Sequence, residues 1–164
     1  MYGKDSMNML IKKVVLVIFA AGICSTVSAQ SMRWAGSGAE YCRKLSDSVY
    51  VPINSDGSLG MASYKIKNNK IWLITGEISE YRGYYTHSKG EYTYYDRNDN
   101  TVGSYVASQG RYYMHSSQGN TILKSTPYAV LSKGVLIPGN DAPARYTVDK
   151  GFDPIVVGLV LLVY

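Results

Sequence analysis

The chain has 164 residues, a net charge of +5, and sixteen tyrosines against two phenylalanines and two tryptophans. Its lysines and arginines are scattered among acidic residues without forming a basic stripe, which argues against a nucleic-acid partner. Two cysteines in the whole chain exclude a disulfide scaffold.

Taken in chain order, the first element is a leader. Lys12 and Lys13 precede an apolar run over residues 14–23 and the small-residue site Val27-Ser28-Ala29. That is the plan of a secretory signal peptide over residues 1–29, with residues 1–8 read as a start-site extension because Met7 and Met9 could each begin the chain. The run falls short of the roughly 18–20 apolar residues a spanning helix needs. Cleavage after Ala29 predicts a secreted or periplasmic product. A second reading anchors the chain by a lipid on Cys24, but Ile23 stands where lipoprotein signals carry Gly, Ala or Ser. The leader holds Lys4, Lys12, Lys13 and Asp5, so cleavage lowers the net charge to +3 and leaves Cys42 as the one cysteine, expected to be buried, with pairing between chains as the alternative.

Residues 30–57 read as an N-terminal arm, with a short helix over 39–45 as an alternative. Residues 58–138 read as a repeat domain. The stretch GEYTYYDRNDNTVG (90–103) is followed at a period of twenty residues by GRYYMHSSQGNTIL (110–123). Weaker copies flank them, with turns expected at Asn68-Asn69, Ser88-Lys89-Gly90, residues 97–100, Ser108-Gln109-Gly110, residues 116–119 and Ser132-Lys133-Gly134. The prediction is all-β: about four tandem hairpin units of about twenty residues, arranged as a flower or a stacked meander. Residues 139–164 are a linker and an apolar segment over 155–164, expected to pack on the hairpins as strand or short helix, with self-association or a membrane-surface contact as alternatives. No transmembrane span is expected in the mature chain.

Within the repeats, alternation puts Tyr92 and Tyr94 on one side with Tyr112 and Met114, and with Ile71 and Leu73 upstream. That side is the expected core, and Tyr95, Tyr113 and His115 are expected to face out. Catalytic signatures are absent: Ser37 lacks the glycine spacing of a nucleophile elbow, and His87 and His115 have no partner at metal-ligand spacing. The expectation is no enzyme activity, no cofactor and no metal. Fifteen tyrosines follow Ala29, nine of them between Tyr81 and Tyr113. They either build sheets, as rings with wet hydroxyls do, or form a ligand surface by stacking. Candidate ligand-binding residues are Trp72, Tyr85, Tyr95, Tyr105, Tyr113 and His115.

The hydrophobic-Gly, turn, aromatic-strand rhythm over residues 59–122 resembles the hairpin units of the four-fold β-flower proteins, small bacterial domains without an established activity. The period, with GRYYMHSSQG at 110–119, is also similar to the choline-binding cell-wall repeats, although Tyr84, Ser104 and Arg111 stand where that family carries tryptophans. In the choline-binding repeats, tryptophans and a tyrosine from neighbouring hairpins form a cage around choline. The expected role is a non-enzymatic secreted or periplasmic module binding an envelope component or protein, with carbohydrate or cell-wall ligand binding through exposed tyrosines as the alternative.

Overall fold

A computed structural model describes residues 30–115, 126–139 and 143–163. The leader, Cys24, the turn at 116–119 and Tyr164 lie outside these residues.

The chain is all-β, a meander of antiparallel strands that closes on itself. In chain order the strands are β1 (Ser31–Trp34), β2 (Glu40–Ser46), β3 (Val49–Pro52), β4 (Ala62–Lys67), β5 (Lys70–Thr75) and β6 (Ile78–Ser88), then β7 (Glu91–Asp96), β8 (Thr101–Val106), β9 (Arg111–Met114), β10 (Ala129–Ser132), β11 (Val135–Pro138) and β12 (Tyr146–Val148). A helix, α1 (Pro154–Val163), ends the described chain. Each strand pairs with its neighbours in sequence, and β1 pairs with β12 through Met32–Val148 and Trp34–Tyr146, so that no edge is left unpaired.

The turns obey their local chemistry. Asn68 and Asn69 (φ 51° and 62°), Lys89 and Gly90 (50° and 79°), and Lys133 and Gly134 (49° and 77°) are pairs of left-handed residues between paired strands. Two consecutive positive φ values are what a two-residue hairpin with the right-handed strand twist requires. The twenty-residue period corresponds to the consecutive hairpins β6–β7 and β8–β9.

The short helix or unstructured arm expected before residue 57 gives way to three strands of the barrel. Residues 40–46 contain good helix formers, but β2 is hydrogen-bonded on both sides, to β1 and β3, and bulges at Met32/Arg33 and Lys44/Ser46 break the two-residue alternation that would have marked it. Tertiary pairing here overrides local propensity.

The apolar C-terminal segment is the core. Asp153 starts α1: its Oδ1 accepts the Ile155 N–H at 2.9 Å and its carbonyl accepts those of Val156 and Val157, with Pro154 in the first helical position. Ile155, Val156, Val157, Leu159 and Val160 are all 6% exposed or less, and with Gly158 also buried every face of the helix is covered. Phe152, just ahead of it, packs edge-on against Tyr50 of β3 (5.6 Å), Val160 lies beside Tyr41 and Cys42 of β2, and Tyr94 of β7 and Tyr112 of β9 bond its first turn. The helix also packs against β8, which lies six places from β2 either way round the ring of twelve, so it touches opposite walls and fills the lumen.

An eight-stranded barrel is about the widest that side chains alone can fill. Twelve strands leave space for a helix, and the remaining gap is spanned by long rings: Tyr50, Tyr64, Tyr94, Tyr105, Tyr112 and Tyr146 are buried and point inward. Ile71, Tyr94 and Tyr112 are buried as expected, and Leu73 and Tyr92 pack against the same core. Met114 does not follow them and is 43% exposed. It ends β9 opposite Gly103, which offers no side chain to cover it.

Candidate functional site: an aromatic strip on the outer wall

Strand register decides which of the six candidate residues a ligand could reach. Tyr85 pairs with Tyr94, and Tyr105 with both Tyr92 and Tyr112, so both rings point into the barrel. Tyr105 is 5% exposed and stacks on Tyr112 at 4.3 Å. Both were expected on a ligand surface and belong instead to the core packing. Tyr113 lies opposite Ser104 on the outward side, yet it is 4% exposed, and its hydroxyl approaches Gln109 Oε1 at 3.5 Å. It offers no ring face. His115, half-buried beyond the end of β9, donates its N–H to the Val102 carbonyl.

Trp72 and Tyr95 remain, and the structure adds two rings to them. Trp72 on β5 is directly opposite Tyr81 on β6, with centroids 6.1 Å apart. Tyr84 on β6 is directly opposite Tyr95 on β7, stacked at 4.8 Å and 13°. Tyr84 also pairs with Lys70, which shares the outer face of β5 with Trp72, so the two ring pairs occupy adjoining positions on one stretch of wall. All four rings are half-buried. Desolvation, with the Asp99 carboxylate nearby adding to it, holds the Tyr84 phenol above its ordinary pKa.

Tyr81 and Tyr84 were missed because a bulge between Ile71 and Trp72 leaves Arg82 without a cross-strand partner and resets the alternation inside β6. In the adjacent pair Tyr84-Tyr85 one ring must face in and one out, and the sequence alone does not say which.

A second aromatic cluster lies where β1, β2 and β12 meet. The rings of Trp34, Tyr41 and Tyr146 lie 4.7–5.0 Å apart pairwise. A cation is held within about 6 Å of several ring centroids at once, with the rings facing a shared gap. Here the rings fill that gap themselves, so the cluster packs and does not form a cage. The cavity beneath it, about 60 Å³ and lined by Tyr41, Cys42, Pro52, Ile53 and Val160, is a fraction of the roughly 300–1,000 Å³ of a small-molecule site. Among the described residues no cluster of three His, Cys, Asp or Glu side chains could hold a metal ion, and no helix is long and apolar enough to cross a membrane.

Comparison with family models, curated proteins and solved structures finds no match to this chain.

Proposed function

We propose that this protein is a non-enzymatic module of the secreted or periplasmic space that binds a component of the cell envelope on the outer wall of β5–β7. The observation that carries this reading is the strip formed by Trp72, Tyr81, Tyr84 and Tyr95. With the lumen occupied by α1, recognition falls to the outside, where ring faces are offered in a row. Such a row suits the C–H faces of pyranose rings, which favours a glycan over a protein as the bound component. Apart from β6, the strands have three to seven residues, fewer than the roughly 9–11 of a membrane-spanning strand, and the interior is the apolar side. Both features suit a module that works in water beside the envelope.

The test is a fluorescence titration of the Trp34→Phe variant, in which Trp72 is the sole indole, against solubilised cell-wall fragments and soluble glycans. A saturable change, weakened tenfold or more by Tyr84→Ala or Tyr95→Ala, supports the reading. No response to any of them, with the fold intact by circular dichroism, overturns it.

A further inference from the structure

Beside the aromatic strip the outer wall carries a patch of one charge. Lys65 on β4 is directly opposite Trp72, and Lys67 is directly opposite Lys70 across the Asn68-Asn69 turn. Lys70 in turn is directly opposite Tyr84. Pairing and alternation therefore set three ammonium groups and the rings of Trp72 and Tyr84 on one face, in neighbouring positions about 5 Å apart across strands and about 7 Å along them. Lys67 and Lys70 are exposed, and Lys65 is half-buried.

None of the three lysines makes an ion pair among the described residues. The nearby acids are engaged elsewhere. Glu80 is bound by Arg82 and Arg97, and Asp96 accepts hydrogen bonds from Asn98 and Asn100 of its own turn. Like charges directly opposite each other on paired strands are destabilising. The Lys67–Lys70 pair is therefore a local cost to the hairpin that a bridging anion would relieve.

We propose that the β4–β7 wall takes an anionic polysaccharide, a polymer whose sugar rings carry carboxylates, with Trp72 and Tyr84 stacking on ring faces and Lys65, Lys67 and Lys70 pairing with the acid groups. This rests on the glycan reading above and adds the charge of the ligand to it. Rings alone would accept neutral and acidic sugars equally; the lysine triangle selects the acidic ones. A single-stranded nucleic acid also presents flat rings and anions, but the secretory leader read in residues 1–29 favours a glycan.

The test compares polygalacturonate, dextran and an oligo-dT single strand on the purified protein, with Trp72 fluorescence as readout. Polygalacturonate is expected to bind at least tenfold more tightly than dextran. Its affinity should fall about tenfold or more for a tenfold rise in salt, as expected when up to three cations are engaged. The triple variant Lys65→Gln, Lys67→Gln, Lys70→Gln, on a surface where substitution leaves folding nearly unchanged, should abolish that preference while Tyr84→Ala weakens both polymers. Equal binding of dextran and polygalacturonate, or retention of the preference in the triple variant, overturns this proposal and leaves the glycan reading standing. Tighter binding of oligo-dT than of polygalacturonate overturns it in favour of a nucleic-acid surface. No binding to any of the three overturns it, and if cell-wall fragments are also silent the glycan reading falls as well.

Discussion

Replacing Gly158 with alanine tests whether α1 really sits inside the barrel. Alanine at a solvent-facing helix position would stabilise the protein by about 1 kcal/mol relative to glycine. In the lumen the sign reverses. A Cβ at Gly158 would lie 2.6 Å from Tyr94 Oη and 3.0 Å from both Tyr94 Cζ and Tyr112 Cε1. Tyr94 is 3% exposed and its hydroxyl donates to the Ile155 carbonyl at 3.1 Å, so the ring has nowhere to turn without breaking that bond. The helix cannot retreat, because Val156, Val157 and Leu159 are buried against the rest of the wall. Overpacking of this kind costs about 1–3 kcal/mol and the lost hydrogen bond about 1 kcal/mol more. Gly158→Ala is therefore expected to destabilise by about 1–3 kcal/mol net, measured as a shift in the urea midpoint at unchanged slope. Tyr94→Phe alone should cost about 1 kcal/mol, and it removes the atom nearest the new methyl group. In that background alanine should cost less than about 1 kcal/mol, giving a coupling energy of about 1–2 kcal/mol in the double-mutant cycle. A Gly158→Ala protein as stable as the parent, or strictly additive effects, would refute the placement of the helix.

Two further outcomes follow from burial. Burial pushes the Cys42 thiol up to about 12, and the side chain is 1% exposed, so it should resist a thiol reagent at pH 8 in the native state and react at once in denaturant; rapid native labelling would contradict the packing of β2. Burial, with the Asp153 carboxylate adding to it, raises the phenols of Tyr50, Tyr94 and Tyr112 well above their ordinary value near 10. The folded chain then holds protons that the unfolded chain has released, so this contribution is complete below pH about 10 and is lost as the pH rises beyond it. Urea midpoints should fall steeply from that pH upward, and tyrosinate absorbance should appear in two stages, exposed rings first and buried rings with unfolding; a single stage with the fold retained would be inconsistent with a tyrosine-lined interior.

Local features were legible from the sequence, and closure was not. Asn68-Asn69, Lys89-Gly90 and Lys133-Gly134 announce their turns because a two-residue hairpin demands left-handed backbone at both positions, a constraint contained within four residues. The inward face of β7 was legible for a similar reason, since Tyr92 and Tyr94 alternate without interruption. Facing fails where it depends on a partner. Tyr85 and Tyr105 are inward only because of the residues opposite them, and a slip of one residue would turn each outward. Bulges at Met32/Arg33 and Ile71/Trp72 each insert such a slip, which hid β2 in one case and Tyr81 and Tyr84 in the other. The pairing of Met32 with Val148 joins the two ends of the described chain, and no local pattern encodes a contact of that range.

The excess of tyrosine over leucine then has a physical account on each side of the wall. Inside, the ring must cross a wide lumen and meet helix backbone. A leucine at position 94 or 112 would be shorter and would leave the Ile155 and Pro154 carbonyls without the hydroxyls that now donate to them at 3.1 and 3.0 Å. Those bonds fix the depth and rotation of α1, which has no polar side chain of its own beyond its capping residue Asp153 to set its register. Hydrophobic burial alone would let such a uniformly apolar helix slide or turn in its sleeve, so the hydroxyls supply the specificity that burial lacks. Outside, no such partner exists for Trp72, Tyr81 and Tyr95 among the hydrogen bonds of the described residues, and apolar ring faces left in water are a cost that the interior does not require. The core thus accounts for the inward tyrosines and not for the strip, and it is the strip, with three lysines beside it, that a binding role must explain.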